Sequence, residues 1–468
     1  MSNLGIFSFL IFAIFFLSTF PLALSIYSPV DNFLISSGAA AATSYYNRNF
    51  LPDDHSPIVG TDLLFYCRST AVTSTSKSLR GVFHLHQTAR VFSKPSKYVF
   101  IVKDRGFHIV RLHFFPFVSS DFNLGDARFH VLIDGNIALR NFSAPGSLTI
   151  KEYIVPAHLG KLRIEFLPID NRQFAFVNAI EVFSAPNSLI PDETTLVNGN
   201  RQLELTNQTL ETVHRINVGG PLVNAFNDTL WRTWTPDDEF FQSGENSKKV
   251  YFSGRIHYIK GGASREVAPD FVYNTARVIS SGNDSVSSAK MSWEFPIVKG
   301  YKYFVRLHFC DIASIALYLI NFNVYIDGTL VAERVDLSSI WNTLASPAFK
   351  DFAVESSSSE ILRVDIGPSN ESVAHNIDGI LNGLEIMKMS TMGSLEDELF
   401  AEIALRKWQR KRQLFVQLFA VVCLLLGALA FVYRRKVVRK DDYTWIRLPI
   451  SHPDSTLKQM NVNTVSKV

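Results

Sequence analysis

Val110–Phe115 reads VRLHFF, and about 200 residues later Val305–Cys310 reads VRLHFC; the segments after each copy return in the same order. Phe129–Gly135 (FHVLIDG) is answered by Phe322–Gly328 (FNVYIDG), Leu162–Pro168 (LRIEFLP) by Leu362–Pro368 (LRVDIGP), and Phe176–Phe183 (FVNAIEVF) by Ile380–Met387 (ILNGLEIM). A duplicated unit is the economical reading. Its class follows from the periodicity. Leu162 to Phe166 alternates apolar and charged side chains, and Leu362 to Ile366 repeats the alternation with Arg363 and Asp365. Period two with one wet face means antiparallel strands. Asp134-Gly135 and Asp327-Gly328 stand between β-rich runs, where Asp and Gly accept the positive φ of a tight hairpin. The 38 phenylalanines suit sheet-on-sheet cores. The expected fold is mainly β: two tandem β-sandwiches, 26–184 and 211–388, joined by a polar linker, 185–210, with Pro186, Pro191 and Asn207.

The ends of the 468-residue chain set its expected topology. Leu4 to Phe20 is a short apolar run, followed by Pro21 and a small-x-small site at Ala23 and Ser25. This predicts a cleaved signal peptide, residues 1–25, in preference to a retained anchor. Leu414 to Tyr433 has about the 20 apolar residues needed to cross ~30 Å of hydrocarbon, with Gln417 its one polar interruption. Basic residues flank both sides of this span almost equally, so the signal peptide decides the orientation: N-terminus outside, single-pass type I. The polar sequence after Tyr433 excludes a GPI signal. Between the second sandwich and the span, 389–413 opens with a capping-box pattern at Ser394 and Asp397, predicting a juxtamembrane helix. The tail, 434–468, is read as cytoplasmic and disordered, with Arg434 to Lys440 against anionic lipid. N-glycosylation sequons stand at Asn141, Asn207, Asn227, Asn283 and Asn370 and at no asparagine beyond the span, in keeping with this topology. Cys67 and Cys310 lie in different halves and are expected not to bridge; Cys423 lies in the membrane helix.

Chemistry is sparse. Arg111/His113 and Arg306/His308 alternate with apolar neighbours, so they point away from the face those neighbours bury. Their recurrence in both halves favours a role in the fold over ligand binding. Asp53/Asp54 and Asp237/Asp238 are paired carboxylates of the type glycoside hydrolysis needs, but adjacent residues diverge and both pairs sit in loop sequence after a proline, so no catalytic residue is assigned. Tyr45, Tyr46, Phe50, Phe240 and Phe241 have the rings to stack on sugars, or to fill a core. No histidine cluster has metal-ligand spacing, so neither metal nor cofactor is expected. The formal charge of +3 is mostly juxtamembrane, which gives nucleic-acid binding no support.

IYSPVDNFLI at Ile26, KEYIVP at Lys151, AFVNAIEVFSAPNSLI at Ala175, LETVHRINVGGP at Leu210, NDTLWRTWTPDDEFF at Asn227, VRLHFCDI at Val305 and LNGLEIMKM at Leu381 together resemble the ectodomain of plant malectin-like receptor-like kinases of the Catharanthus roseus type, the FERONIA- and THESEUS-like group. The resemblance runs collinearly from Ile26 to Met389. It implies two malectin-like sandwiches at a plant plasma membrane, binding cell-wall polysaccharide or a secreted peptide, with full-length receptor kinases or co-receptors as partners. It names no ligand-contacting residue. Two departures stand out. Ser36, Ser37 and Gly38 replace a Cys-Gly common in the family. No Gly-rich loop, His-Arg-Asp or Asp-Phe-Gly of a Ser/Thr kinase follows the span, although WIRLP at Trp445 resembles the start of the family's intracellular part. The expectation is a kinase-less receptor-like protein acting as co-receptor, decoy or truncated paralogue. The alternatives are a membrane-tethered cell-wall lectin or a truncated product of a full kinase.

Overall fold

The computed structural model describes residues 27–53, 69–75, 84–157, 160–197, 199, 201–244, 247–280, 290–356, 359–372, 377–389 and 417–435. The expected signal peptide, Asp54, Cys67, Asn283, the juxtamembrane helix and nearly all of the tail lie outside these residues.

Each VRLHF copy forms the middle of a three-strand set. Phe107–Phe114 pairs antiparallel with Thr149–Pro156 on one side and Ala179–Ser184 on the other. Tyr301–Cys310 lies likewise between Pro347–Ser356 and Gly383–Met389. The two sets are hydrogen-bonded into one sheet. Leu210–Asn217 pairs with Gly383–Met389 along its length and with Tyr153 and Ile154 at its start, and the resulting sheet runs through both halves as 13 strands.

One face of this sheet carries two apolar cores. Val110, Leu112 and Phe114 face the first, which is closed by a four-stranded sheet containing Phe129–Ile133 and Lys161–Pro168. Val305, Leu307 and Phe309 face the second, closed by a five-stranded sheet containing Met291–Pro296 and Ile361–Pro368. The alternation read from Leu162 to Phe166 is present as buried Leu162, Ile164 and Phe166 with Arg163 exposed. Each buried Phe contributes roughly 1.5–3 kcal/mol of transfer free energy. Phe114, Phe129, Phe166 and Phe176 also meet edge-on or tilted at centroid distances of 5.8 to 6.4 Å. Both Asp-Gly pairs turn hairpins with positive φ at both residues: 48° and 88° at Asp134-Gly135, 48° and 77° at Asp327-Gly328.

The segment expected as a polar linker is packed. Glu193–Leu196 and Gln202–Glu204 add two strands to the long sheet, through Thr195 and Leu196 against Phe352 and Ala353. Leu189, Ile190 and Leu205 are buried with Ile109, Ile154, Phe304 and Met387 in a third cluster between the two halves. The reason lies in its apolar residues, which the prolines and polar neighbours mask in the sequence.

Gly393–Val468 forms a separate unit. Its described part is one helix, Gln417–Arg435, long and apolar enough to cross a membrane, within three residues of the expected bounds.

Candidate ligand cleft

Opposite the apolar cores, the long sheet carries polar and charged side chains, and these are also buried. Arg111 and His113 in one half, and Arg306 and His308 in the other, are all nearly inaccessible. Arg111 donates to Glu152 (2.6 Å), to Glu181 (3.0 Å) and to the Leu230 carbonyl (2.7 Å). Glu181 also accepts from Arg48 at 2.7 Å and lies 2.9 Å from His113 Nε2. Glu152 then reaches across the seam to Arg215 (2.6 Å), whose Nε donates to Glu385 at 2.6 Å, and Glu385 lies 3.2 Å from His308 Nε2. The result is one continuous hydrogen-bonded chain from His113 to His308, running through Glu181, Arg111, Glu152, Arg215 and Glu385. Arg306 stands beside it, bidentate to Asp351 at 2.7 Å and donating to the Leu189 carbonyl at 2.7 Å. The fold role read for the Arg/His pairs is therefore what the geometry displays, and it extends to joining the halves.

Burial alone would raise the Glu152 carboxyl, but the Arg215 and Arg111 guanidiniums overcome this and hold it at about 2. Burial opposes ionisation at Glu181 and Glu385 too, and is outweighed by Arg48 and Arg111 at the first and chiefly by Arg215 at the second, so both sit below the usual carboxylate range. Burial, then neighbouring His113, pushes His86 down to about 3, and burial also lowers His308. Carboxylates held ionised are poor proton donors, and hydrolysis of a glycoside needs one carboxyl raised.

Above this charged floor opens a cleft of about 800 Å³, walled by both halves. Tyr45, Tyr46 and Ile150 come from the first half; Val213, Trp231, Glu239 and Phe240 from the second. Tyr46-Asn47 turns the hairpin between Thr43–Tyr45 and Arg48–Pro52 with φ of 47° and 57°, which presents Tyr46 outward. Trp231 holds a left-handed φ of 56°, costly for an aromatic residue, and its ring lies 4.2 Å from the Arg48 guanidinium. Asp228 secures the loop by accepting from Leu230 N–H (2.7 Å), Arg232 (3.0 Å) and the Trp234 indole (2.9 Å).

The residues weighed from sequence divide. Tyr45, Tyr46 and Phe240 line the cleft. Phe50 is fully buried, and Phe241 packs on Trp293 and on Arg277, 4.0 Å away. Asp53 and Asp237 are buried structural acids in equivalent places. Asp53 accepts from Gly38 N–H and ion-pairs Arg90; Asp237 accepts from Gly219 N–H and ion-pairs Arg277. Gly38 takes φ of 71°, as does Gly219. Asp238 is exposed and bonded to Lys249 at 2.6 Å, far from a matched catalytic pair with Asp237. Among the described residues no group of three or more metal-ligating side chains comes together, and Cys310 is a buried free thiol. Sequence reasoning missed Glu152, Glu181, Arg215, Glu385 and Trp231. Glu181 and Glu385 occupy matching places in FVNAIEVF and ILNGLEIM, a signal that was present in the repeat.

The malectin-like domain family matches residues 46–389, and the chain belongs to that family. It is 38% identical to the receptor-like protein kinase THESEUS 1 of Arabidopsis thaliana over 81% of this chain and 45% of that protein. It is 34% identical to HERK 1 of the same plant over 94% and 53%. The chain thus spans about half the length of the curated relatives it matches. Among solved structures, the ANXUR1 extracellular domain from Arabidopsis thaliana superposes with a TM-score of 0.69 at 27% identity, covering 77% of this chain and 97% of that one. FER in complex with the plant peptide RALF23 and LLG2 superposes with a TM-score of 0.67 at 28% identity, covering 78% and 97%.

Proposed function

We propose that this chain is a single-pass cell-surface receptor-like protein of the plant plasma membrane, whose two tandem malectin-like sandwiches, 26–184 and 211–388, bind a secreted peptide in the cleft over their seam. The observation that carries this is the cleft itself: a volume within the ~300–1,000 Å³ of small-ligand sites, floored by fixed ion pairs and rimmed by Tyr46, Trp231 and an exposed Glu239. A rim of rings and acid suits a peptide with apolar and basic side chains. That a solved relative is a peptide complex with a further protein supports the same ligand class and a co-receptor arrangement. The protein shares ligand or partners with receptor kinases, as co-receptor or decoy. The type I orientation and glycosylation at Asn141, Asn207, Asn227, Asn283 and Asn370 belong to this reading; the four described sites are all exposed.

The test is binding by the full chain in nanodiscs to a panel of secreted cationic peptides and cell-wall oligosaccharides. A peptide whose affinity falls at least ~10-fold, about 1.4 kcal/mol, in Tyr46→Ala and Glu239→Gln supports the reading. Saturable oligosaccharide binding lost in Tyr46→Ala, with no peptide bound, replaces it with a membrane-tethered lectin.

A further inference from the structure

A second groove, of about 450 Å³, lies behind the cleft wall, sharing Tyr46, Arg48 and Trp231 with it. Its other side is apolar and open. Phe226 is 62% exposed and Phe271 52%, an unusual outlay of aromatic surface for one place on a folded domain. The wall also contains Asn227, the exposed acceptor of the sequon Asn227-Asp228-Thr229. We propose that this groove is filled by the chain's own N-glycan, the core N-acetylglucosamines on Asn227 lying across Phe226 and Phe271.

The placement is fixed by the local fold. Asn227 ends the 3-10 turn Ala225–Asn227, which Asn224 caps by accepting from Phe226 N–H at 3.0 Å. Asp228, buried with Arg232 and Trp234, anchors the next residue, so Phe226 and Asn227 are held side by side on a rigid loop. Phe271 belongs to the short helix Asp270–Tyr273, pinned through Asp270 to Arg265 at 3.0 Å, while Thr229 donates to the Arg265 carbonyl at 3.0 Å. A pyranose has an apolar face of C–H bonds and a polar rim of hydroxyls. It covers a ring that no apolar side chain covers and keeps its polar edge in water. A protein ligand would meet the glycan first, because the sugar is attached inside the groove.

Attachment needs an oligosaccharide carried on a lipid diphosphate in the export pathway. Asn227 Nδ2 attacks C1 of the first N-acetylglucosamine, the C1–O bond to the diphosphate breaks, the N–C1 bond forms, and the amide proton is lost. This happens on the unfolded chain, when the Thr229 hydroxyl is not yet engaged. The inference rests on the proposed lumenal placement of residues 26–412, and the experiment separates the two.

The full chain is produced in cells restricted to oligomannose glycans and treated, natively in detergent, with an endoglycosidase that cuts within the core; occupancy and cutting are read per site by glycopeptide mass spectrometry. Asn227 should be occupied and cut at least ~10-fold more slowly than Asn207 and Asn370, the factor that about 1.4 kcal/mol of packing gives. Denaturing the wild type should abolish the difference, and Phe226→Ala and Phe271→Ala should each reduce it. Equal native rates at the three sites, or a bare Asn227 beside occupied Asn207 and Asn370, overturn the inference. All three sites bare would overturn the lumenal placement as well.

Discussion

Replacing Glu152 with Gln removes the charge that links the halves while keeping the shape and one of the two accepting oxygens. The two guanidiniums it bridges, Arg111 and Arg215, stay buried, and each keeps one other carboxylate, Glu181 and Glu385 respectively. Breaking a buried ion pair at one partner costs about 3–5 kcal/mol, because the remaining charge is left under-compensated. Linkage gives an independent figure. The Glu152 carboxyl falls from its ordinary 4.5 to about 2 in the folded protein, a difference worth roughly 3 kcal/mol. Because the folded value is depressed, this stabilisation is fully present above about pH 4.5 and is lost as pH falls towards about 2. Denaturant unfolding of the full chain, followed by tryptophan fluorescence, should show Glu152→Gln less stable by about 3 kcal/mol at pH 6, with the gap to wild type narrowing as pH drops below 4.5. A difference under ~1 kcal/mol at pH 6, or a gap independent of pH down to 3, would refute the claim that this carboxylate joins the halves by charge.

Two further outcomes follow from the repeat. Asn178 accepts from Phe115 N–H and donates to the His86 and Thr88 carbonyls, and Asn382 does the same with Cys310, Tyr273 and Thr275, so Asn178→Ala and Asn382→Ala should each cost about 2–4 kcal/mol in the same unfolding assay. Unequal effects, one near zero, would show that the equivalence stops at geometry. Gly219→Ala should be worse than Gly135→Ala, although both glycines have positive φ. A Cβ on Gly219 meets the Ala276 carbonyl while one on Gly135 meets open space, so about 3 kcal/mol against about 1 is expected as a difference in unfolding free energy.

How much was legible depends on whether the controlling contact was local or long-range. Period-two alternation and the Asp-Gly turns are short-range signals, and they located Leu162–Phe166, Leu362–Ile366 and both hairpins correctly. The seam was not legible, because two residues, Tyr153 and Ile154, make the pairing with Glu211 and Leu210, and no pattern in KEYIVP or LETVHRIN announces a partner more than 50 residues away. The same holds for the cleft floor. Arg111 and His113 were read as facing away from the core, which is correct, yet that face is buried because the Leu230 loop covers Arg111 and Tyr45, Phe50 and His86 cover His113. Trp231 was invisible, since its left-handed φ belongs to an irregular local turn in which its N–H donates to the Asp228 carbonyl, and the partners of its ring, Arg48 and Phe183, are distant in sequence.

Under the proposed reading, the shared sheet sets the walls of the cleft in advance. Two domains on a flexible tether would have to order relative to each other on binding, and affinity would carry that entropic cost. Here the walls are joined by backbone hydrogen bonds between Thr149–Pro156 and Leu210–Asn217, by the Glu152 bridge, and by the apolar cluster of Leu189, Leu205, Leu210 and Phe304 under the former linker. Tyr46 on one wall and Trp231 and Glu239 on the other are therefore set before a ligand arrives. In the proposed function, ligand discrimination then resides in the rim side chains and their loops. Signalling by a closing of the two halves is disfavoured, because it would have to break a continuous sheet and a buried charge chain. The receptor-like reading accordingly places the information in what the occupied cleft presents to a partner protein.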